Sequence, residues 1–350
     1  MRIILQSGKE EELGVFECQP SERLLYAGLR AGLPLPHECA SGTCGSCKGR
    51  LLSGETDDLW SDAPGRKALR SGTTDILLCQ SRAGSDCTIG IRLAAPVSQP
   101  QVLPAYFSGW VRRSGMLTQD VLIMELALDR PMSFAAGQFV VLEVEGLDGF
   151  RAYSMVNFKQ PCHALELIVK KKPGGGFSQR LFSQELSSMR FKVFGPLGRA
   201  TLEPEEEGTG DLVCVAGGTG IAGIMAILAR ASQSGHLDAH KALVCFGVRT
   251  AADLFFLPRF AALRRQHPDS LKVIVALSEE EPPASIRSSY PCLTFCKGFV
   301  HEALAAQSLE GFTDVVAYAG GPPLAVDAAT SVLLLKHQIP ANRIRFDRFG

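Results

Sequence analysis

The sequence lacks net charge: 36 Lys and Arg stand against 36 Asp and Glu in 350 residues. That balance argues against nucleic acid or an anionic membrane as the main partner, since both select a basic surface. It also lacks any apolar run of the length that crosses a bilayer, so no membrane partner is expected. The apolar start, Met1–Gln6, turns polar and acidic over Ser7–Glu12, which does not read as a signal peptide. The expected compartment is therefore the cytoplasm. No internal repeat is visible, and no Ser–His–Asp arrangement stands out. Cysteine, by contrast, is plentiful. Eleven cysteines in a reducing compartment point to metal ligation or chemistry, because disulfides are rare there.

A chain of this length exceeds one ordinary hydrophobic core, so two or three domains are expected. Residues 1–94 are Gly- and Cys-rich, with short strand-like runs around one helical stretch, Arg23–Ala31. Residues 95–104 are polar and proline-bearing and read as a linker. Residues 105–204 read as successive strands with closely spaced turns, which predicts a small antiparallel β-barrel. Residues 205–350 alternate strand and helix, the pattern of a doubly wound parallel sheet. The fold class is thus multidomain, α+β followed by α/β.

Cys39, Cys44 and Cys47 are spaced C-x4-C-x2-C, with Cys79 following the apolar run Ile76–Leu78. This is the plant-type spacing for four thiolates around two irons and two sulfides. Gly42, Gly45, Ser41 and Ser46 are small enough for the backbone to fold closely and aim N–H groups at sulfur. A zinc site is the rival, although structural zinc prefers two C-x2-C-like pairs. Cys18, Cys87, Cys162, Cys214, Cys245, Cys292 and Cys296 lie in apolar or mixed runs and read as small hydrophobes.

Three further stretches suit nucleotides. Arg151-Ala152-Tyr153-Ser154 offers a cation, a ring able to stack on a flat heterocycle, and a hydroxyl for its edge. Gly174-Gly175-Gly176 precedes a helix-like segment and lets backbone amides approach a diphosphate. Gly217-Gly218-Thr219-Gly220 follows the apolar strand Leu212–Ala216 and opens an apolar helix, with Gly218, Gly220 and Gly223 spaced G-x-G-x-x-G. The acid that commonly ends the next strand in dehydrogenases is absent, for Ala242–Phe246 runs into Gly247-Val248-Arg249-Thr250.

RAYS, PGGGFS, Gly195–Gly198, Ala216–Gly220 and Ala319–Pro323, taken in order, resemble the ferredoxin–NADP reductase superfamily. With the cysteine block in front, essentially the whole chain resembles the reductase components of bacterial multicomponent oxygenases. The resemblance implies a β-grasp-like [2Fe–2S] ferredoxin domain, one FAD and a nicotinamide site. It implies that Arg151 holds the flavin pyrophosphate, Tyr153 stacks on the isoalloxazine and Ser154 reaches N5. Ala152 belongs to the same strand, and Gly175, Gly176 and Ser178 cradle phosphates. Phe349, in the terminal Phe346-Asp347-Arg348-Phe349-Gly350, covers the flavin face. Two departures stand out: Gly223 replaces a usual proline, and Gly320 replaces the cysteine that usually faces the nicotinamide. Gly320, Gly321 and Pro322 then offer only backbone, and hydride geometry falls to Ser154, Thr219 and Phe349. Arg249 is a candidate for a 2′-phosphate, but Glu279–Glu281 would repel one, so NADH is expected over NADPH. The implied partner is a terminal oxygenase or an intermediate ferredoxin, docking near Ala40–Thr43. A dehydratase or P450-type acceptor is the alternative, and a redox-sensing module a more distant one.

Overall fold

The computed structural model describes residues 1–7, 11–92, 102–145, 147, 149–183, 185–202 and 210–348. In the first block β1 (Arg2–Gln6), β2 (Glu12–Glu17), α1 (Leu24–Arg30), β3 (Lys48–Ser53), β4 (Thr56–Asp58), β5 (Asp75–Leu77), β6 (Ser81–Ala83) and β7 (Cys87–Gly90) follow in order. Five of these strands form one sheet, β2-β1-β7-β3-β5, in which β1 runs parallel to β7 and antiparallel to β2. Helix α1 buries Leu24, Leu25, Tyr26, Ala27, Gly28 and Leu29, so almost its whole length is core. This mixed sheet with one buried helix is the β-grasp-like arrangement expected.

The middle block supplies β8 (Ala105–Met116), β9 (Val121–Met132), β10 (Phe139–Val144), β11 (Arg151–Ser154), β12 (Cys162–Lys170), α2 (Gly176–Ser183) and β13 (Arg190–Leu197). Their hydrogen-bonded order is β11-β10-β13-β8-β9-β12. A bridge from Met155, just past β11, to Leu167 of β12 brings the two edges of the sheet together, and the sheet is barrel-like as expected.

The third block runs β14 (Leu212–Gly217), α3 (Ile221–Gln233), α4 (His236–Ala239), β15 (Ala242–Val248), α5 (Leu257–Gln266), β16 (Leu271–Leu277), α6 (Ala284–Ser289), β17 (Thr294–Lys297), α7 (Val300–Ala305), β18 (Val316–Gly321), α8 (Pro323–Ser331) and β19 (Ile344–Arg348). The sheet order β17-β16-β15-β14-β18-β19 is parallel throughout. Two buried clusters cover its faces, one with Ile224, Leu228 and Phe260, the other with Val300, Leu304 and Leu333. The order reverses between β14 and β18, which opens a crevice at the carboxyl ends of these strands. β17 and β19, four and five residues long, are too short and too polar to stand out in the sequence. Among the described residues, no helix is long and apolar enough to cross a membrane.

By compactness the chain divides into two units. One comprises residues 1–109, 140–153 and 189–197; the other comprises 110–139, 154–188 and 198–350. The first unit therefore joins the cysteine block to three strands of the barrel-like sheet, across the expected boundary near residue 104. The reason is aromatic packing: Tyr26 of α1 stacks on Phe194 of β13 at 4.6 Å and meets Phe150, before β11, edge-on at 5.0 Å. The proposed linker lies outside the described residues as far as residue 101.

At the switch point two backbones touch. A methyl group on Gly220 would stand 2.3 Å from the carbonyl of Gly320, and one on Gly320 would stand 2.4 Å from the Gly220 carbonyl oxygen. Backbone cannot yield as a side chain can. Gly220→Ala should cost about 1–3 kcal/mol of stability by overpacking. Gly115→Ala, whose added carbon meets nothing within 4 Å, should stay within about 0.5 kcal/mol. Thermal unfolding of both variants beside the parent checks this.

Candidate functional site

Cys39, Cys44 and Cys47 lie on the segment between α1 and β3, and Cys79 lies in the single turn Leu78–Gln80 that follows β5. The sulfurs fall into two pairs. Cys47 Sγ is 3.1 Å from Cys79 Sγ, and Cys44 hydrogen-bonds Cys39. All eleven cysteines are free. Backbone N–H groups of Ser41 and Cys44 donate to Cys39 Sγ at 3.4 Å, and that of Ser46 donates to Cys44 Sγ at 3.5 Å. The hydrogen bond from Cys44, followed by donors at Thr43, Ser41 and Cys44, pulls the Cys39 thiol down to about 4. Cys44 is pushed up by giving that bond and by burial. Cys39, Cys47 and Cys79 are buried and Cys44 is half-buried. Two thiol pairs, one of them receiving backbone N–H donors, are compatible with thiolate ligation of an iron–sulfur cluster, although among the described residues no group of three such side chains is gathered closely enough for a single metal ion. Ala40 and Ser41 are themselves buried, and the solvent-facing part of this segment is Thr43, Cys44 and Ser46.

Successive residues of β11 face opposite ways. Arg151 and Tyr153 share one face and are half-buried, as is Ala152. The Arg151 guanidinium lies 5.3 Å from the Trp60 ring centroid and donates to the Phe150 carbonyl at 3.0 Å. Ser154 is 5% exposed, and its hydroxyl donates to Asp347 Oδ2 at 3.3 Å. Asp347 belongs to β19, whose parallel register sets it opposite Gly320. The segment expected only as a terminal motif is a paired strand. The alternation Ile344, Phe346 was the signal for a strand.

In the β12–α2 turn, the Ser178 hydroxyl accepts the Lys172 N–H at 2.9 Å and donates to the Gly175 carbonyl at 3.2 Å. The hydroxyl thus fixes the turn, and Gly175 and Gly176 lead directly into α2. Gly217 ends β14, and Gly218–Gly220 form one tight turn into α3, with Gly217, Gly218 and Thr219 half-buried. No side chain caps α3, and its first turn holds no acid. Its leading N–H groups are therefore left for an anionic ligand. Gly320 and Gly321 close β18, and Pro322 precedes α8. Gly223 packs against Gly137 and Ser154, a methyl there standing 3.6 Å from Ser154 Cβ.

Arg249, 62% exposed, sits past β15 and pairs with Asp253 at 3.6 Å. Asp253 also closes a capping box with Thr250. The carboxylates after β16 are partly committed, Glu280 to the Ala251 N–H and Glu281 to Lys297. Phe349 lies outside the described residues. The structure does align Ser232, His267 and Asp238, which the sequence had not suggested. Ser232 Oγ is 2.7 Å from His267 Nε2, and Asp238 is 3.7 Å from Nδ1 with its side chain 75% exposed. It ties the end of α3 to the end of α5.

Comparison with known proteins gives three family matches in sequence order. A 2Fe-2S iron-sulfur cluster binding domain matches residues 9–84, an oxidoreductase FAD-binding domain 110–202, and an oxidoreductase NAD-binding domain 214–330. The chain is 34% identical over 342 residues to the ferredoxin–NAD(+) reductase component of the alkene monooxygenase system of Xanthobacter autotrophicus, covering 95% of this chain and 97% of that protein. Among solved structures, the ferredoxin reductase in carbazole 1,9a-dioxygenase superposes with a TM-score of 0.82 at 31% identity, covering 100% of this chain and 99% of the other. The Amycolatopsis cytochrome P450 reductase superposes with a TM-score of 0.79 at 30% identity, covering 99% and 98%.

The bond between Ser154 and Asp347 has a measurable consequence. Asp347→Ala leaves the buried hydroxyl without that acceptor, and a lost hydrogen bond of about 0.5–1.5 kcal/mol is roughly a 2- to 12-fold effect. Rapid-mixing measurement of flavin bleaching by NADH should show a fall of that size, with Asp347→Asn recovering part of it.

Proposed function

This chain belongs to the iron–sulfur flavoprotein reductases that join a 2Fe-2S cluster binding domain to oxidoreductase FAD-binding and NAD-binding domains, and on that premise we propose how its own residues share the work. It is an NAD(P)H-dependent flavoprotein oxidoreductase. In our reading the donor is NADH, the cofactors are one FAD and one [2Fe–2S] cluster, and the acceptor is a terminal oxygenase or an intermediate ferredoxin in the cytoplasm. The observation that carries the reading is that four paired thiols and the Arg151–Tyr153 strand fall within one compact unit.

Cys39, Cys44, Cys47 and Cys79 hold the irons in this reading. Arg151 holds the flavin pyrophosphate, Tyr153 stacks on the ring, and the backbone of Gly175 and Gly176 faces phosphate. Ser154, fixed by Asp347, reaches the flavin edge. When bound, the flavin supplies the exchange between a two-electron hydride and single electrons. Hydride transfer asks no side-chain acid or base, so Thr219, Gly320 and Phe349 serve by orientation and by excluding water. The uncapped start of α3 takes the dinucleotide pyrophosphate through Gly217, Gly218 and Gly220, with Gly321 and Pro322 on the other side of the crevice. NADH is favoured because Asp253 already neutralises Arg249 and Glu279–Glu281 stand nearby. The resemblance to a cytochrome P450 reductase supports a second acceptor class.

The purified protein should contain one FAD, two irons and two sulfides, and NADH should drive ferricyanide reduction. Zinc in place of iron, or a flavin-free protein unable to turn over NADH, would overturn the reading. The oxygenase or P450 identity of the acceptor is read from the protein that co-purifies and accelerates NADH consumption. For coenzyme choice, kcat/KM should favour NADH over NADPH by about tenfold or more, the scale of one desolvated charge contact. Asp253→Ala, which releases Arg249, should narrow that ratio by roughly threefold, as expected for an exposed pair. Equal efficiencies in the parent would show that Arg249 already serves the 2′-phosphate.

A further inference from the structure

Arg23, at the head of α1, is 5% exposed, and a buried guanidinium is costly unless an anion faces it. Among the described residues no carboxylate lies within ion-pairing distance of it. Its neighbour in sequence, Glu22, is committed to Arg30 at 2.9 Å, and nearby Arg82 pairs instead with Asp57 at 3.2 Å. The bonds Arg23 does make point one way. Its Nη1 donates to the Cys79 carbonyl and to Gln80 Oε1, both at 2.7 Å. Since Arg can only donate, the oxygen of the Gln80 amide must face it. That leaves the amide nitrogen, which lies 3.7 Å from Cys79 Sγ. The guanidinium also lies 5.0 Å from the Phe150 ring centroid and 5.9 Å from that of Tyr26. Rings on one side and the Cys79 turn on the other hold it in place.

We propose that Arg23 is the internal counter-ion of the [2Fe–2S] cluster, raising its reduction potential so that electrons run from flavin to cluster. The inference rests on the cysteine assignment above. Four thiolates, two sulfides and two ferric ions make a dianion, and one added electron makes a trianion. A fixed cation stabilises the second more than the first, and a desolvated site lets it act at full strength. The electron leaves the reduced flavin and is taken up by the cluster, and no proton is exchanged at Arg23. Arg23 bonds the Cys79 carbonyl and the Gln80 amide rather than a cysteine sulfur, so it is a positioning residue beside the cluster ligands.

The test is a redox titration of the full-length holoprotein, following the reduced cluster by electron spin resonance and the flavin by absorbance. Arg23→Met fills the space without charge and Arg23→Lys keeps the charge without the fork. Arg23→Met should lower the equilibrium constant for flavin-to-cluster transfer roughly tenfold, which is about 59 mV for one electron. Arg23→Lys should stay within about threefold of the parent, and the flavin potential should be unchanged in both. A cluster potential in Arg23→Met equal to the parent's overturns the proposal. So does a fall in Arg23→Lys as large as in Arg23→Met, which would make the fork geometry, not the charge, responsible. If Arg23→Met assembles no cluster while Arg23→Lys assembles one of near-parental potential, the charge is required and the proposal stands. If neither assembles one, the position serves packing and the proposal falls. A parent protein with no reduced-cluster signal would instead refute the cysteine assignment.

Discussion

Much of the first compact unit depends on one buried aromatic ring. Tyr26 is fully buried, stacked on Phe194 and edge-on to Phe150, while its hydroxyl donates to the Ala40 carbonyl at 2.7 Å. A buried Tyr needs a partner for its hydroxyl, and here the partner is the backbone between Cys39 and Cys44. The same side chain therefore fixes the cysteine segment at one end and the approach to β11 at the other. Each aromatic contact contributes about 0.5–1.5 kcal/mol beyond burial. The larger consequence is geometric, because one fully buried side chain joins the cysteine segment to the approach to β11.

This contact also explains which parts of the molecule were legible in the sequence. The C-x4-C-x2-C spacing, the Gly217–Gly220 turn and the alternation of strand and helix are local patterns, and each lies where expected. Helix α1 was also expected, from Arg23–Ala31, and the structure places it at Leu24–Arg30. What α1 packs against was not legible. Tyr26, Phe150 and Phe194 are far apart in sequence, and nothing in their spacing says that they meet. Strand β19 was hidden for a different reason. Ile344-Arg345-Phe346-Asp347-Arg348 is short and carries three charges, so it resembles a solvated tail until pairing with β18 supplies its hydrogen bonds.

The nicotinamide crevice shows how a missing side chain can be read as a packing requirement. The absent cysteine at Gly320 looks, in sequence, like a lost functional group. In the structure, Gly320 and Gly220 face each other with no room for Cβ on either. The turns after β14 and β18 can approach this closely only because both are glycine, and that closeness shapes the crevice at the switch point. In the proposed reading, with side chains excluded at Gly220 and Gly320, the nicotinamide ring would be positioned by backbone and by neighbours such as Thr219 and the Ser154–Asp347 pair.

Asp347 gives that last pair its significance. Its place opposite Gly320 comes from the parallel register of β18 and β19, so a terminal strand carries a carboxylate to the edge of the same crevice that the glycines shape. The Ser154 hydroxyl, when it gives its hydrogen to Asp347, is left presenting oxygen lone pairs to whatever lies beyond it. A hydroxyl held this way accepts from an N–H and is a poor donor. If Ser154 reaches the flavin edge as proposed, it would offer that edge an acceptor rather than a donor. In the proposed reading the Ser154–Asp347 bond would orient the hydroxyl toward the flavin edge without either residue exchanging a proton.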